Sequence, residues 1–188
     1  MAFVTTRRAC LLVLVLTPAL LFTHAASAQA GAPTEDAVKA AYLSKLGNYV
    51  QWPAHAGPPA NGRTVIGIVG AEDVANNLAQ MAAVRDPVKG TLAVRRLRNG
   101  DPLENIHILY LGQGYVGRAG AMIEQAAAHS ILVVTDSSDA LAHGSVVNFR
   151  VLDERLRFDI SLASADRAGL RLSSQLLTLA ATVIREKR

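Results

Sequence analysis

The stretch Thr64-Val-Ile-Gly-Ile-Val-Gly-Ala-Glu-Asp73 joins a short, continuous apolar run to a glycine and then to two acidic residues. A run of this kind is typical of a strand that is buried on both faces, and acidic residues favour the first turn of a helix. The pattern predicts a strand over 64–69, a turn at Gly70 and a helix over 72–84. Parallel sheets are built from such strand-helix units.

The rest of the chain repeats this alternation. Thr34 is a suitable N-cap for a first helix, which should stop before Trp52-Pro53 because the residue before a proline avoids the helical region. Further strands are predicted at 91–97, 106–111, 131–134, 145–149 and 157–162, and further helices at 116–129 and 173–185. The last two strands are joined by a short charged turn and should be antiparallel. The sequence therefore predicts an α/β protein: a Rossmann-like sandwich with a mostly parallel central sheet flanked by helices, and an antiparallel strand pair near the C-terminus.

Residues 1–28 have the pattern of a secretory signal peptide. Two arginines precede an apolar run at 9–22, which is shorter than the ~20 residues of a membrane-spanning helix, and Ala26-Ser-Ala28 offers a cleavage site. An uncleaved anchor is the alternative interpretation. We expect export to the periplasm, cleavage, no stable membrane insertion afterwards, and a single mature domain over 29–188.

Cys10 is the only cysteine of the chain, and it lies within the predicted signal peptide. The mature protein would therefore have no disulfide, no thiolate metal site and no cysteine nucleophile. Loss of Arg7 and Arg8 leaves seventeen basic against fifteen acidic residues, a net charge of +2. So small a charge gives no reason to expect nucleic acid as a partner.

The motif Gly112-Gln-Gly114-Tyr-Val-Gly117 follows an apolar strand and opens a helix, and Asp136 ends the next strand. This is the spacing of a dinucleotide-binding fingerprint, in which glycines let the backbone approach a pyrophosphate and the acid holds the ribose. The pattern leaves open an exported module that binds a small ligand or a nucleotide. Against it, at least two strands precede the motif, Tyr115 would project towards the phosphates, and glycines after a strand are commonly turn formers.

Catalytic and metal sites are not indicated. No serine lies in a Gly-x-Ser-x-Gly elbow, and the four histidines of the mature chain are scattered without a carboxylate at metal-ligand spacing. They are His55, His107, His129 and His143. We expect no enzymatic activity, no metal and no cofactor.

The only tryptophan, Trp52, is placed where the first helix ends and a loop begins. Either it anchors that turn from the core, or it belongs with Tyr49 and Pro53 to a surface that binds a partner. The residues expected in the core are Phe158, Leu176 and Leu177.

Three stretches together carry a resemblance to a known family. The first is Ala37-Val-Lys-Ala-Ala-Tyr-Leu-Ser-Lys-Leu-Gly-Asn-Tyr-Val-Gln-Trp-Pro53. The second is the pair of predicted strands Val147-Asn-Phe149 and Arg157-Phe-Asp-Ile-Ser-Leu162. The third is Gly169-Leu-Arg-Leu-Ser-Ser-Gln-Leu-Leu-Thr-Leu-Ala180. The Trp-Pro turn and the Ser-Ser helix at their respective ends resemble those of the YfiR/HmsC-like periplasmic proteins.

The resemblance implies an α/β sandwich that works in the periplasm as a regulator rather than as an enzyme. Characterised members bind the periplasmic sensing domain of an inner-membrane diguanylate cyclase and hold it inactive, which lowers cyclic di-GMP output and biofilm formation. Members often dimerise, so a homodimer is also implied. This chain departs from the disulfide-containing members because Cys10 is its only cysteine.

Overall fold

A computed structural model describes residues 32–60, 62–85 and 91–185 of the chain. The predicted signal peptide lies outside these residues. Within them, the helices are α1 (Glu35–Leu46), α2 (Glu72–Arg85), α3 (Gly120–Ala128), α4 (Leu162–Arg167) and α5 (Ser174–Leu179). The strands are β1 (Val50–Gln51), β2 (Thr64–Val69), β3 (Leu92–Leu97), β4 (Ile108–Leu111), β5 (Leu132–Thr135), β6 (Val147–Leu152), β7 (Arg155–Ser161), β8 (Arg171–Leu172) and β9 (Thr182–Ile184). None of the helices in this part of the chain is long and apolar enough to cross a bilayer.

The main sheet has the strand order β3-β2-β4-β5-β6-β7-β9. All neighbours in this order are parallel except β6 and β7, which form an antiparallel hairpin. The predicted fold class is therefore confirmed: the protein is α/β, with a mostly parallel sheet and an antiparallel pair towards the C-terminus. A separate antiparallel pair, β1 and β8, joins the end of α1 to the start of α5.

The central strands are buried on both faces, as their continuous apolar runs predict. In β4, Leu109, Tyr110 and Leu111 are all fully buried, although they alternate between the two faces of the sheet. One face carries a core built with α1, α2, α4 and α5, and the other carries a core built with α3. We call the face that carries α3 the second face. Among the described residues, its core includes none from β6, β7 or β9, so no helix core covers the second face at the end of the sheet that these three strands form.

Local signals behave as expected at two helix starts. The hydroxyl of Thr34 accepts a hydrogen bond from the backbone N–H of Ala37 at 3.2 Å, and that of Ser173 accepts one from Leu176 at 3.3 Å. Such caps satisfy N–H groups that have no partner inside the helix. Of the residues expected in the core, Phe158 and Leu176 are buried and Leu177 is partly buried against the same cluster.

The prediction of one helix over 173–185 is wrong. The helix α5 ends at Leu179, Ala180 is extended, and Thr182–Ile184 becomes the edge strand β9, parallel to β7. The three successive β-branched residues of β9 favour a strand, and the neighbouring N–H of Ala181 donates to the carbonyl of Phe158 at 2.8 Å.

The predicted helix over 116–129 also begins later than expected. Its first turn is a 3-10 helix over Val116–Arg118, and α3 itself starts at Gly120 without a side-chain cap. Two glycines close together weaken an α-helical start because glycine loses more backbone freedom than other residues when it is ordered.

Candidate functional site

The carboxyl ends of β2, β4 and β5 meet at one edge of the sheet, where Gly70, Gly112 and Asp136 follow the three strands. The chain leaves β2 towards β3 on one side and later returns to β4 on the other side. In open α/β sheets, ligands bind at the carboxyl edge where the strand order reverses in this way. The candidate site is therefore this edge, beginning at the crevice between β2 and β4.

Gly112 allows the loops after β2 and β4 to touch. A β-carbon at Gly112 would overlap the carbonyl oxygen of Gly70 and lie 2.9 Å from its carbonyl carbon. The ring of Tyr115 lies directly against Gly70. The switch point is thus filled largely by the protein itself, as the projection of Tyr115 from the turn led us to expect.

The other members of the glycine motif lie apart from this contact. Gly114 has a positive φ of 84°, which accounts for a glycine in this turn, and Gly117 has open space around it. Gly112 and Asp136 line a pocket of about 280 Å³ that neither Gly114 nor Gly117 lines. The structure therefore brings together only two of the four residues of the proposed ligand site.

The charge around this small pocket is mostly negative. Its carboxylates are Asp36, Glu72, Asp73 and Asp136, and its single cation is Lys39. Lys39 is already paired with Glu35 and Asp136, and Glu72 is paired with Arg96, so the charge that remains is that of Asp36 and Asp73, which would repel a pyrophosphate. The surroundings of the glycine motif favour a cationic ligand over a nucleotide.

Asp136 is held by a buried polar cluster. Its Oδ2 lies 2.7 Å from Nζ of Lys39 and accepts a hydrogen bond of 2.8 Å from the hydroxyl of Tyr110. Nζ of Lys39 also lies 2.8 Å from Oε1 of Glu35. The Lys39 and Asp136 side chains are only 9% and 11% exposed, so the cluster fixes α1 to the carboxyl edge of the sheet.

Burial and charge set the protonation of this cluster. Burial lowers the pKa of Lys39, but its hydrogen bonds to Asp136 and Glu35 outweigh that effect and raise the pKa overall. Burial, together with the negative charge of Asp136, raises the pKa of the Tyr110 phenol. Lys39 therefore stays charged and Tyr110 stays a hydrogen-bond donor across the physiological range.

A larger cleft of about 810 Å³ lies on the other side of Asp136. One wall is the loop that follows β5, and the other is the β6–β7 hairpin, with Ile184 of β9 at its border. Arg150 and Asp159 form an ion pair across this hairpin at 2.8 Å. Glu35 and Lys39 of α1 also line the cleft, and on the second face of the sheet the α3 core includes no described residue of β6, β7 or β9.

The side-chain amide of Asn148 organises the floor of the cleft. Its Oδ1 accepts hydrogen bonds from the hydroxyl of Thr135 at 2.8 Å and from the backbone N–H of Ser137 at 3.1 Å. The buried hydroxyl of Ser145 adds a third member, 2.9 Å from that of Thr135. These bonds fix the loop that begins at Asp136.

Sequence reasoning singled out Asp136 but missed Lys39 and Tyr110. The signal for Lys39 was a lysine flanked by Val38 and Ala40 in an otherwise apolar part of the first helix. A buried lysine requires an anionic partner, but sequence alone does not show that the partner lies 97 residues further along the chain.

The three residues predicted for a partner surface occupy different environments. Tyr49 lines an apolar groove of about 320 Å³ between α1 and α5. Trp52 is partly buried, its Cβ near Gly57 and its ring near Gly47, and its indole Nε1 is buried without a hydrogen-bond partner. Pro53 follows it, also partly buried. Trp52 is therefore partly packed, as a core anchor would be, and partly exposed, as a residue of a partner surface would be. Tyr49 faces a groove that a partner can enter.

The histidines lie away from the carboxyl edge or on its rim. His55, His107 and His129 line a pocket of about 610 Å³ that also includes Val65, at the start of β2. His107 accepts a hydrogen bond from the N–H of Val65 at its Nδ1, 3.0 Å away, and burial lowers its pKa. No group of three potential metal ligands occurs in the part of the chain that the structure describes.

Comparisons with known proteins add a family and a fold. The sequence model of the YfiR/HmsC-like family matches residues 36–181. No functionally curated protein matches the chain. A conserved domain protein from Vibrio cholerae O1 biovar El Tor is similar in structure, with a TM-score of 0.54 and 11% identity over 80% of this chain and 60% of that one.

The ABC domain from Streptococcus pneumonia in complex with L-Trp has a TM-score of 0.49 and 9% identity, over 79% of this chain and 60% of that one. The chain spans 60% of the length of each of these two proteins. At such low identity, the likeness to the Vibrio protein shows the fold alone.

Gly112 and Gly117 form a matched pair for testing the contact between the loops. Gly112→Ala should lower the free energy of unfolding by about 1–3 kcal/mol, because the new methyl meets backbone that has no room to move. Gly117→Ala should change it by no more than about 1 kcal/mol, because nothing lies within 4 Å. Urea unfolding measures both, and equal losses would contradict the contact.

Because His107 is buried, we expect the stability of the protein to decline at acidic pH. Its pKa is lower in the folded than in the unfolded chain, so the folded state resists protonation. The free energy of unfolding should be highest above the ordinary histidine pKa of about 6.5 and should fall as the pH drops below it.

His107→Asn keeps an acceptor at the position of Nδ1 for the N–H of Val65 and should flatten this decline in urea unfolding between about pH 7.5 and pH 5. The exposed His129→Asn is the control and should keep the decline. An unchanged decline in His107→Asn would assign the effect to other groups.

Proposed function

Because the chain belongs to the YfiR/HmsC-like family, we propose that it is a non-enzymatic regulator of the periplasm that represses an inner-membrane diguanylate cyclase. It would bind the periplasmic sensing domain of the cyclase and lower cyclic di-GMP output and biofilm formation. The observation that carries the proposal is the family match over residues 36–181, which spans nearly all of the described fold. Repression requires tighter binding to the inactive cyclase than to the active one.

The apolar groove between α1 and α5 is the surface that best suits such a partner. Its lining residues are Val38, Ala41, Tyr42, Lys45, Leu46, Tyr49, Phe158, Leu176 and Leu179. Several of them belong to the apolar stripe of the first helix, and the fold covers this stripe only in part. An apolar stripe that the core does not cover is a common receptor for an apolar segment of another protein.

Leu179 is the most useful residue for testing this surface. It is 60% exposed at the end of α5, and it lines the groove. Tyr49 lies in the same groove, so we propose Tyr49 and Leu179 as contacts of the cyclase. Trp52 and Pro53 would support the segment that follows α1 and would contribute to binding only through Tyr49.

Deletion of the gene should raise cellular cyclic di-GMP and biofilm formation, because the cyclase would no longer be held inactive. Complementation with the unchanged protein should reverse both effects. Unchanged cyclic di-GMP after deletion, under several envelope stresses, would contradict the proposed function.

The variant Leu179→Asp tests whether the groove between α1 and α5 is the surface that binds the cyclase. It should fail to complement the deletion and should lose binding to the purified sensing domain, because a charged side chain has to be desolvated in an apolar contact. Its melting temperature should not change, since Leu179 is largely exposed.

Val84→Asp is the matched control, because Val84 is 85% exposed and lies near the end of α2, outside the groove. It should complement as the unchanged protein does. Full repression by Leu179→Asp would reject the groove and leave the regulatory role to be placed on another surface.

A further inference from the structure

The amino ends of β2, β4 and β5 form the edge of the sheet opposite to Asp136. His107 precedes β4, where its N–H donates to the carbonyl of Val65 at 3.0 Å and its carbonyl accepts from the N–H of Leu132 at 2.9 Å. Val65, His107 and Ile131 are therefore neighbours across three strands, on the second face of the sheet. They line the pocket of about 610 Å³ that contains three histidines, which we call the amino-end pocket.

His107 places a hydrogen-bond donor on the floor of the amino-end pocket. The residue is only 8% exposed, and its Nδ1 accepts a hydrogen bond of 3.0 Å from the N–H of Val65. A neutral ring whose Nδ1 accepts carries its proton on Nε2. Burial lowers the pKa of His107, which keeps the ring neutral and Nε2 a donor at physiological pH.

The Nε2–H of His107 has no acceptor among the described residues, yet it is open to the pocket. In the described part of the chain, the side-chain polar atoms that are both unpaired and closed off from solvent are Nε1 of Trp52, Oδ1 of Asp136 and Oδ1 of Asp159. Nε2 of His107 is not one of these atoms, so a ligand can reach it. An accessible donor on a largely buried ring favours a ligand that brings an acceptor oxygen.

Arg63 brings a positive charge to the same pocket. It lies two residues before Val65, and strand alternation places both side chains on one face of the sheet. Arg63 is exposed, and no described carboxylate forms an ion pair with it. A guanidinium suits a carboxylate because its N–H groups match the two oxygens. The pocket therefore combines a neutral donor with a free cation.

The other titratable groups of the pocket limit the charge of a ligand. Glu104 is the only carboxylate among its lining residues, and it is exposed, as are His55 and His129. The end of a helix such as α3 favours a cation, but its last carbonyls already accept backbone hydrogen bonds from residues 129–131. One arginine beside one carboxylate suits a single negative charge better than a dianion such as phosphate.

The wall of the pocket is apolar. Leu103 and Ile106 precede β4, Ile131 precedes β5, and all three are buried and line the pocket. A volume of about 610 Å³ is within the range of small-molecule sites. A ligand that fits this wall has an apolar body beside its charged group, because burial of such a body is favourable.

We propose that the amino-end pocket binds a short aliphatic monocarboxylate. One carboxylate oxygen would accept the Nε2–H of His107, and the guanidinium of Arg63 would pair with the other. The aliphatic tail would lie against Leu103, Ile106 and Ile131. Nothing in the inference depends on a cyclase partner, so it stands or falls separately from the regulatory role.

A titration of the ¹⁵N-labelled protein with hexanoate tests the site at constant pH and ionic strength. The expected result is a saturable one-to-one change in the backbone amide signals of Val65, His107 and Ile131. Absence of saturation would overturn the proposal. Saturable changes confined to the groove between α1 and α5 would place the apolar acid elsewhere and would also overturn it.

Analogues separate the charge of the ligand from its tail. Hexanamide keeps the tail without the charge, and acetate keeps the charge without the tail. Both should bind at least about tenfold more weakly than hexanoate, because hexanamide loses charge-assisted hydrogen bonds and acetate buries less apolar surface. Equal affinity for hexanamide would overturn the proposal, as would tighter binding of inorganic phosphate, which would indicate a general anion site.

Matched variants locate the carboxylate. Arg63→Gln should lower hexanoate affinity by about tenfold or more, because it removes the cation that pairs with the ligand. Arg155→Gln removes the same charge from an exposed position on β7, outside the pocket, and should leave the affinity unchanged. Unchanged affinity in Arg63→Gln, or an equal loss in Arg155→Gln, would show that no specific pairing with Arg63 exists and would overturn the proposal.

His107→Asn tests the donor on the floor of the pocket. It keeps an acceptor for the N–H of Val65 but removes the Nε2–H, so hexanoate affinity should fall by about tenfold. Unchanged affinity in a folded His107→Asn would overturn the proposal. If melting shows that this variant does not fold, the comparison of hexanoate with hexanamide and the pair of arginine variants still decide.

Discussion

The ion pair between Lys39 and Asp136 connects two parts of the structure that lie 97 residues apart in the sequence. It joins the first helix to the carboxyl edge of the sheet, and the phenol of Tyr110 completes it from the central strand. A buried pair of this kind stabilises a fold little by itself, because the desolvation of both charges offsets their attraction. Its main consequence is positional: the side chains of Lys39 and Asp136 line both the small acidic pocket and the larger cleft.

The two faces of the sheet explain where the open surfaces are. The first face carries four helices, and a groove lies between α1 and α5, which is one of the two shortest. The second face carries α3, which covers the central strands and stops short of the β6–β7 hairpin. The uneven distribution of helices leaves both an apolar groove and a polar cleft. Phe158 lines the groove, and its neighbour on β7, Asp159, lines the cleft. Their side chains point to opposite faces because successive residues of a strand alternate.

Much of the fold could be predicted from local patterns, and the exceptions have physical causes. The strands β2, β4 and β5 are continuous apolar runs, and the hydroxyls of Thr34 and Ser173 cap helices where expected. The sequence predicts a helix where β9 lies because Leu176 and Leu177 begin a helical pattern, whereas the state of β9 depends on its pairing with the open edge of β7. Pairings of this kind depend on tertiary contacts, which residue spacing does not reveal.

The glycine motif shows the same limit at the level of chemistry. The spacing of Gly112, Gly114 and Gly117 describes a backbone that turns after a strand, and this backbone is present. The charge that a ligand would meet there comes from elsewhere: Asp36 belongs to α1, and Glu72 and Asp73 belong to α2. Distant elements therefore decide the sign of the electrostatic potential at a turn whose geometry is local. The N-termini of α1 and α2 lie at this edge, and helix N-termini ordinarily suit a phosphate, but here their first turns carry the carboxylates Asp36, Glu72 and Asp73, which disfavour one.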